Sequence, residues 1–261
     1  MSGIVVIKCG GSTLAELTDE FFHSVVRLKQ EGKHPIIVHG GGPDINQMLE
    51  TLAIKSEFVG GLRKTTSDVL ETVEMVLCGR VNKKLVKRTQ DGHGLAVGLA
   101  GCDANLLMVK PVDIKKLGFV GEPVAVNTEL ILTLIDQDLI PVIAPIGVDE
   151  FGTHFNVNAD TAAGAIAEAL GASELIFVTD VDGILKDGLA LESVTDVEVH
   201  RLIETGVIYG GMIPKVKAAL KSLKGSLPFV RIVNGKQAVF AVGEGLKGTK
   251  ITKQTTAESV S

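Results

Sequence analysis

Ile4-Val5-Val6-Ile7-Lys8-Cys9-Gly10-Gly11-Ser12 and Pro35-Ile36-Ile37-Val38-His39-Gly40-Gly41-Gly42-Pro43 are the two stretches that decide the fold. Each is a short apolar run without alternation that stops at a cluster of glycines. Such a run reads as a strand buried on both faces. Between them a helical pattern occupies residues 16–31, with Phe21, Phe22, Val25, Val26 and Leu28 on one side. A second helix begins with Ile45, Met48, Leu49 and Leu52, and Pro43 is acceptable near its first turn. Strand, glycine turn and helix in repetition imply a parallel sheet covered on both faces.

Working outward, the alternation continues. Helices are expected over 68–87, 128–138, 160–170, 197–206 and 213–224, and strands over 95–99, 106–109, 140–145, 175–178, 229–233 and 238–242. The expected fold is a three-layer α/β sandwich, with a mostly parallel central sheet flanked by helices on both faces. One domain over 1–261 is expected, its two lobes meeting near Gly171, followed by a polar tail over 252–261. Ligands of open α/β sheets bind beyond the carboxyl ends of the strands. The polar or glycine-rich ends after Ile7, Val38 and Val178 are therefore where chemistry is expected.

Composition removes several function classes. Lys plus Arg number 26 against 31 Asp plus Glu, a net charge of −5, which lacks the basic face of a nucleic-acid protein. Aromatic residues are 4% with no Trp, too few for base-stacking platforms. Cys9, Cys78 and Cys102 match neither a disulfide framework nor a zinc site, and suggest a reducing cytosol. No apolar run approaches the roughly 18 residues of a membrane span. The stretch Met1–Lys8 has no basic region ahead of its short apolar run, so no signal peptide is expected and the setting is cytoplasmic.

Three motifs are set aside. Gly243-Glu244-Gly245-Leu246-Lys247-Gly248 matches G-x-G-x-x-G but opens no helix, since residues 249–252 look extended, and a turn is the better reading. His39–Gly42 resembles the oxyanion loop of lipases, yet the G-x-S-x-G nucleophile elbow does not occur. The P-loop pattern is missing as well.

The two glycine turns remain. Each places consecutive bare amides at a strand end ahead of a helix, the geometry of an anion nest. Lys8 ends an otherwise apolar strand, where a lysine needs an anion. In Asn156-Val157-Asn158-Ala159-Asp160, Asn158 is a good N-cap and Asp160 complements the helix dipole. Gly210-Gly211-Met212-Ile213-Pro214-Lys215 instead puts a cation in a first helical turn, against the dipole.

Together with Gly61-Leu62-Arg63 and Thr179-Asp180-Val181-Asp182-Gly183-Ile184-Leu185, these segments resemble the amino acid kinase family over essentially residues 3–251. Within it the chain is similar to the members that phosphorylate the γ-carboxylate of N-acetyl-L-glutamate with ATP in arginine biosynthesis. The resemblance implies a substrate-binding lobe over about 1–171 and a nucleotide-binding lobe over about 172–251. It implies that Lys8 and Lys215 stabilise the transferring phosphoryl group and that Asp160 holds both lysines. Gly10 and Gly11 would give amides to the phosphate, and Gly41 and Gly42 to the substrate carboxylate. Arg63 would clamp that carboxylate, with Asn156 and Asn158 also on the substrate. Thr179, Asp180, Val181, Asp182, Gly183, Ile184 and Leu185, with Tyr209, Gly210 and Gly211, would bind the nucleotide. Tyr209-Gly210 departs from the threonine or aspartate often found there.

A γ-carboxylate is ionised at neutral pH, so no general base is required. The barrier is repulsion between two anions, which positioning and positive charge lower. Mg²⁺ is expected to arrive on the nucleotide, with no dedicated protein ligands. The resemblance further implies a homodimer, and no arginine inhibition, since no helix precedes the first strand. Kinases of an acetylated or carrier-linked aminoadipate stay open, because one methylene separates the substrates. So does a non-catalytic regulator on the same fold. An aspartate kinase would need extra domains, and a uridylate kinase base-reading features not found here.

Overall fold

The structure, a computed structural model, describes residues 3–238, 240 and 247–254. Eight strands form the main sheet: β1 (Ile4–Cys9), β2 (His34–His39), β3 (Ala96–Ala100), β4 (Ile140–Ala144), β5 (Glu174–Thr179), β6 (Ser193–Thr195), β7 (Phe229–Asn234) and β8 (Thr249–Thr252). Across the sheet they run β6-β8-β7-β5-β1-β2-β4-β3. All neighbours are parallel except β7 and β8. The expected α/β sandwich is the observed one.

Alternation along the strands divides the apolar residues between two cores. Ile4 and Val6 of β1, Ile36 and Val38 of β2, and Leu175 and Phe177 of β5 enter one core. Val5, Ile7, Cys9, Ile37, Ile176 and Val178 enter the other. The first core is covered by helices Thr128–Asp136, Ala159–Ala169, Asp196–Glu204 and Met212–Leu223. The second lies under Asp19–Gln30, Gly42–Thr51 and the helical stretch 67–91. Lys8 follows Ile4 and Val6 in the period of two, so it leaves β1 on the side of the first core, paired in register with Phe177.

That parity brings the chemistry together. Asn158 caps helix Ala159–Ala169 by accepting from the amides of Asp160 and Thr161, which sets Asp160 in the first turn above the end of β1. Helix Met212–Leu223 crosses the same layer. A Cβ on Gly164 would stand 2.7 Å from Ser222 Oγ, so the glycine lets the two helices approach.

Three features depart from expectation. The helix expected over 68–87 has α-helical ends, Ser67–Glu74 and Asn82–Asp91, around a seven-residue π-helical segment, Met75–Val81. Leu107–Pro111, Val120–Val126, Ile146–Val148 and His154–Val157 close a small ring of strands, of which only the first was expected. Of the strand expected over 238–242, only Ala238 and Phe240 are described, and neither is in a strand; the rest lies outside the described residues. Residues 249–252 are extended as expected, forming the reversed strand β8.

Among the described residues no helix is long and apolar enough to cross a membrane. Burial pushes the Cys9 thiol up to about 12, and desolvation raises Cys78 and Cys102 to about 12 and about 11, so all three stay protonated and unreactive at neutral pH.

Candidate active site

The ends of β1 and β5 and the starts of the two helices surround a cavity of about 210 Å³. Lys8, Gly10, Asp160, Thr179, Asp180, Gly211 and Lys215 all line it, together with Ser12, Thr13 and Phe177. Lys8 Nζ stands 2.6 Å from Asp160 Oδ1 and 5.9 Å from the centre of the Phe177 ring. The ammonium and the carboxylate attract, but off the axis of a hydrogen bond. Oδ1 is therefore buried beside a cation with no hydrogen-bond partner among the described residues. The ion pair and the missing hydrogen bond are compatible, because Coulomb attraction depends on distance and a hydrogen bond also on angle.

Lys215 does not share that carboxylate. Its Nζ donates to Asp180 Oδ1, and this hydrogen bond holds the Asp180 carboxyl below the usual carboxylate range. Asp160, expected to hold both lysines, stands beside Lys8 in this structure, and Lys215 stands beside Asp180. The physical reason is proximity. Asp180 follows β5 directly and reaches Lys215 across the cavity mouth, so each ammonium has its own counter-ion and their mutual repulsion is offset twice.

The two glycine turns touch. A Cβ on Gly11 would lie 2.6 Å from Gly42 N and 2.7 Å from Gly41 N, which any other residue would obstruct. Gly10 gives its amide to Val178 O at 3.2 Å, so it is a lining residue and not an available donor. Among the described residues the amides of Gly11, Gly41 and Gly42 have no protein acceptor, and Gly42 opens helix Gly42–Thr51. Three converging amides at a helix start suit an anion.

A second cavity, about 420 Å³, meets the first at Asp160, Pro214 and Ala218 and is bordered by Asn158 and by Gly60 and Gly61. Those glycines form the turn of a hairpin, Glu57–Val59 with Leu62–Lys64, with φ of 58° and 82°. Arg63 is buried on that hairpin, 8% exposed. One fork nitrogen donates to Ser56 Oγ, the other to Asn46 Oδ1 at 2.7 Å, and the guanidinium lies 4.7 Å from the Phe58 ring centre. Burial lowers its pKa, and no carboxylate pairs with it among the described residues. Asn156 joins this group by donating to Thr65 Oγ1 at 3.1 Å, whose hydroxyl in turn donates to Arg63 O. Arg63, Asn156, Gly41 and Gly42 line neither cavity.

The loop expected for the nucleotide divides. Thr179 and Asp180 face the central cavity, and Val181 N donates to Thr179 Oγ1. Asp182 accepts from Asn234 and borders a further cavity of about 580 Å³. Gly183 closes on Thr249, whose hydroxyl accepts from Ile184 N, and Leu185 starts a hairpin. Gly211 is the N-cap of Met212–Leu223, Gly210 has φ of 55°, and Tyr209 is exposed.

The amino acid kinase family model matches residues 3–234. The chain belongs to the amino acid kinase family. An acetylglutamate kinase of Halalkalibacterium halodurans is 56% identical over 254 residues, covering 97% of this chain and 98% of the relative. Another from Geobacillus stearothermophilus is 54% identical over 255 residues, covering 97% and 98%. The crystal structure of smu.665 from Streptococcus mutans UA159 resembles this one with a TM-score of 0.84 at 32% identity, over 97% of this chain and 99% of that one. Membership of the amino acid kinase family makes the chain a phosphotransferase with ATP as donor.

Within this amino acid kinase site the sequence did not single out Phe177, Thr13 or the Asp180–Lys215 pair. Phe177 carries no motif and is found only through the β1–β5 register. His39 is the other omission. It is fully buried, and burial pushes its pKa from 6.5 down to about 4, with no charged side chain contributing. Between those values the unfolded chain binds the proton and the folded chain does not, so His39 stabilises fully above pH 6.5 and progressively less below it. Urea unfolding is expected to give about 2 kcal/mol less stability at about pH 5.0 than at about pH 7.5 from this residue. A His39→Gln protein should lose that slope, and an unchanged slope would place the titration elsewhere.

Proposed function

We infer that this chain transfers the γ-phosphoryl group of ATP to the γ-carboxylate of N-acetyl-L-glutamate, giving N-acetylglutamyl 5-phosphate in arginine biosynthesis. One observation carries the chemistry: two lysines from separate elements, each with its own carboxylate, face one small cavity, and the nearby turns hold the amides of Gly11, Gly41 and Gly42, which have no acceptor among the described residues.

In this reading a carboxylate oxygen of the acceptor attacks phosphorus, the bond to the bridging oxygen breaks, and ADP leaves. No proton needs to be removed. Lys8 and Lys215 neutralise charge that spreads over the phosphoryl oxygens in the transition state. Gly11 supplies an amide to the same oxygens, while Gly10, without a side chain, keeps room beside Lys8. Asp160, already paired with Lys8, is the second acceptor proposed for Lys215 once an anion draws that ammonium away from Asp180. Gly41, Gly42, Arg63, Asn156 and Asn158 bind the acceptor; Thr179–Leu185 and Tyr209–Gly211 bind the nucleotide.

Mg²⁺ belongs to the ATP substrate. Both cavity carboxylates face lysines, a donor set that fits an ion brought in by phosphates. Bound there, it would neutralise phosphate charge. The sheet order supports a lobe boundary near Gly171, because β1–β4 lie on one side of the β1–β5 junction and β5–β8 on the other. A cytoplasmic homodimer is part of the same proposal, on family resemblance.

The test is ADP release by purified protein with ATP, Mg²⁺ and a panel of N-acylated acids. Acetylglutamate should exceed acetylated aminoadipate in kcat/KM by about 10-fold or more, the usual worth of one methylene; the opposite order would overturn the substrate. Arg63→Lys keeps the charge and loses the fork held by Ser56 and Asn46. It should raise the acetylglutamate KM about 10-fold or more with the ATP KM within about twofold. Equal losses for both ligands would remove Arg63 from the acceptor site.

A further inference from the structure

We propose that His39 is a positioning residue that aims the Gly41 amide at the acceptor, an inference that rests on the reading of Gly41 as an acceptor donor. His39 ends β2 and is completely buried. Its Nδ1 lies 2.9 Å from Gly40 O, and its Nε2 lies 3.2 Å from Asn82 Nδ2.

The proton positions follow from the neighbours. Asn82 Nδ2 also lies 2.9 Å from Val142 O and 3.4 Å from Leu99 O. Carbonyl oxygens only accept, so this atom is the NH₂ end of the amide and donates to His39 Nε2. Nε2 therefore carries no proton. The neutral ring holds its proton on Nδ1 and donates it to Gly40 O, so both ends of the ring require the same tautomer. Burial keeps the ring uncharged at neutral pH.

The Gly40 carbonyl and the Gly41 N–H belong to one planar peptide unit, and in a trans unit they point in opposite directions. Drawing the oxygen inward onto His39 turns the N–H outward, toward the Gly11 turn. Accepting at the oxygen also polarises the unit and strengthens the N–H as a donor. The opposite side is closed by the π-helical segment, since a Cβ on Gly41 would stand 2.5 Å from Leu77 Cδ2. Asn82 follows that segment directly, so one irregular turn both packs against the glycine and presents the residue that sets the histidine tautomer.

The experiment combines amide spectroscopy of the full-length protein with kinetics of two variants. Asparagine places its amide near the Nδ1 position and keeps a donor for Gly40; glutamine reaches the Nε2 position and loses it. His39→Gln should raise the acetylglutamate KM about 10-fold, with kcat within about threefold and the ATP KM within about twofold, and His39→Asn should recover most of the loss. Equal kinetics of the two variants, or equal loss for both substrates, would overturn the positioning role. In the wild type the Gly41 amide resonance should move on adding N-acetyl-L-glutamate; a stationary resonance overturns the reading of Gly41 itself, and the inference with it. Should either variant fail to fold, the wild-type ring decides: a protonated Nε2, or an imidazole titrating between pH 5.5 and 7.5, overturns the proposal.

Discussion

Lys8→Ala is expected to lower kcat by about 10²–10³-fold, the usual cost of removing one preorganised charge donor from a transition state. The KM for either substrate should change far less, because the charge that Lys8 meets is greatest in the transition state. Lys215→Ala should behave in the same way. The two variants differ in what they leave behind. Without Lys8, Asp160 loses its only ion-pair partner among the described residues at a part-buried position, whereas Asp180 without Lys215 stands half exposed. Lys8→Ala should therefore also lower the melting temperature, and adding Asp160→Asn should restore part of that loss without restoring turnover. Steady-state kinetics and thermal melts on the four proteins check this. A defect confined to KM would put the lysines in ground-state binding.

Asp160→Asn alone is expected to lower kcat by about 10²-fold or more while the protein stays folded. Asparagine is nearly isosteric, and the helix start is secured by the Asn158 cap whatever occupies position 160. It lacks the charge, however, so Lys8 loses its counter-ion and Lys215 loses the second acceptor proposed for it. If Asp160 served only the helix dipole, the change would cost a few tenths to about 1 kcal/mol of stability and little rate. A well-folded Asp160→Asn protein keeping more than about a tenth of the wild-type kcat would support that smaller role.

The residues proposed to carry the chemistry were legible where they violate a local rule. A lysine closing the apolar run Ile4–Ile7, and another in the first turn of a helix, are each unfavourable unless an anion is nearby, and the structure sets both on one cavity. The sheet was legible because doubly buried strands leave short β-branched runs without alternation. What stayed hidden depends on partners far apart in sequence. The small ring of strands is built from pieces of three to seven residues with mixed burial, too short for a periodic signal. The π-helical segment differs from its α-helical flanks by hydrogen bonding, not by pattern. Asp180 read as part of a nucleotide loop, and only the fold shows that it reaches Lys215. His39 read as a turn residue, because nothing local announces Asn82.

The division of the sheet into two cores has a consequence for the acceptor site. Lys8, Asp160 and Lys215 are mounted over one core, whereas Gly41 is seated by Leu77, Val81 and His39 from the other. In the proposed roles, a substitution in the second core at Leu77 or Val81 would move the Gly41 turn of the acceptor site while leaving the packing beneath the two lysines untouched. On that proposal, one part of the acceptor site can be retuned from behind, through residues that never meet the phosphate.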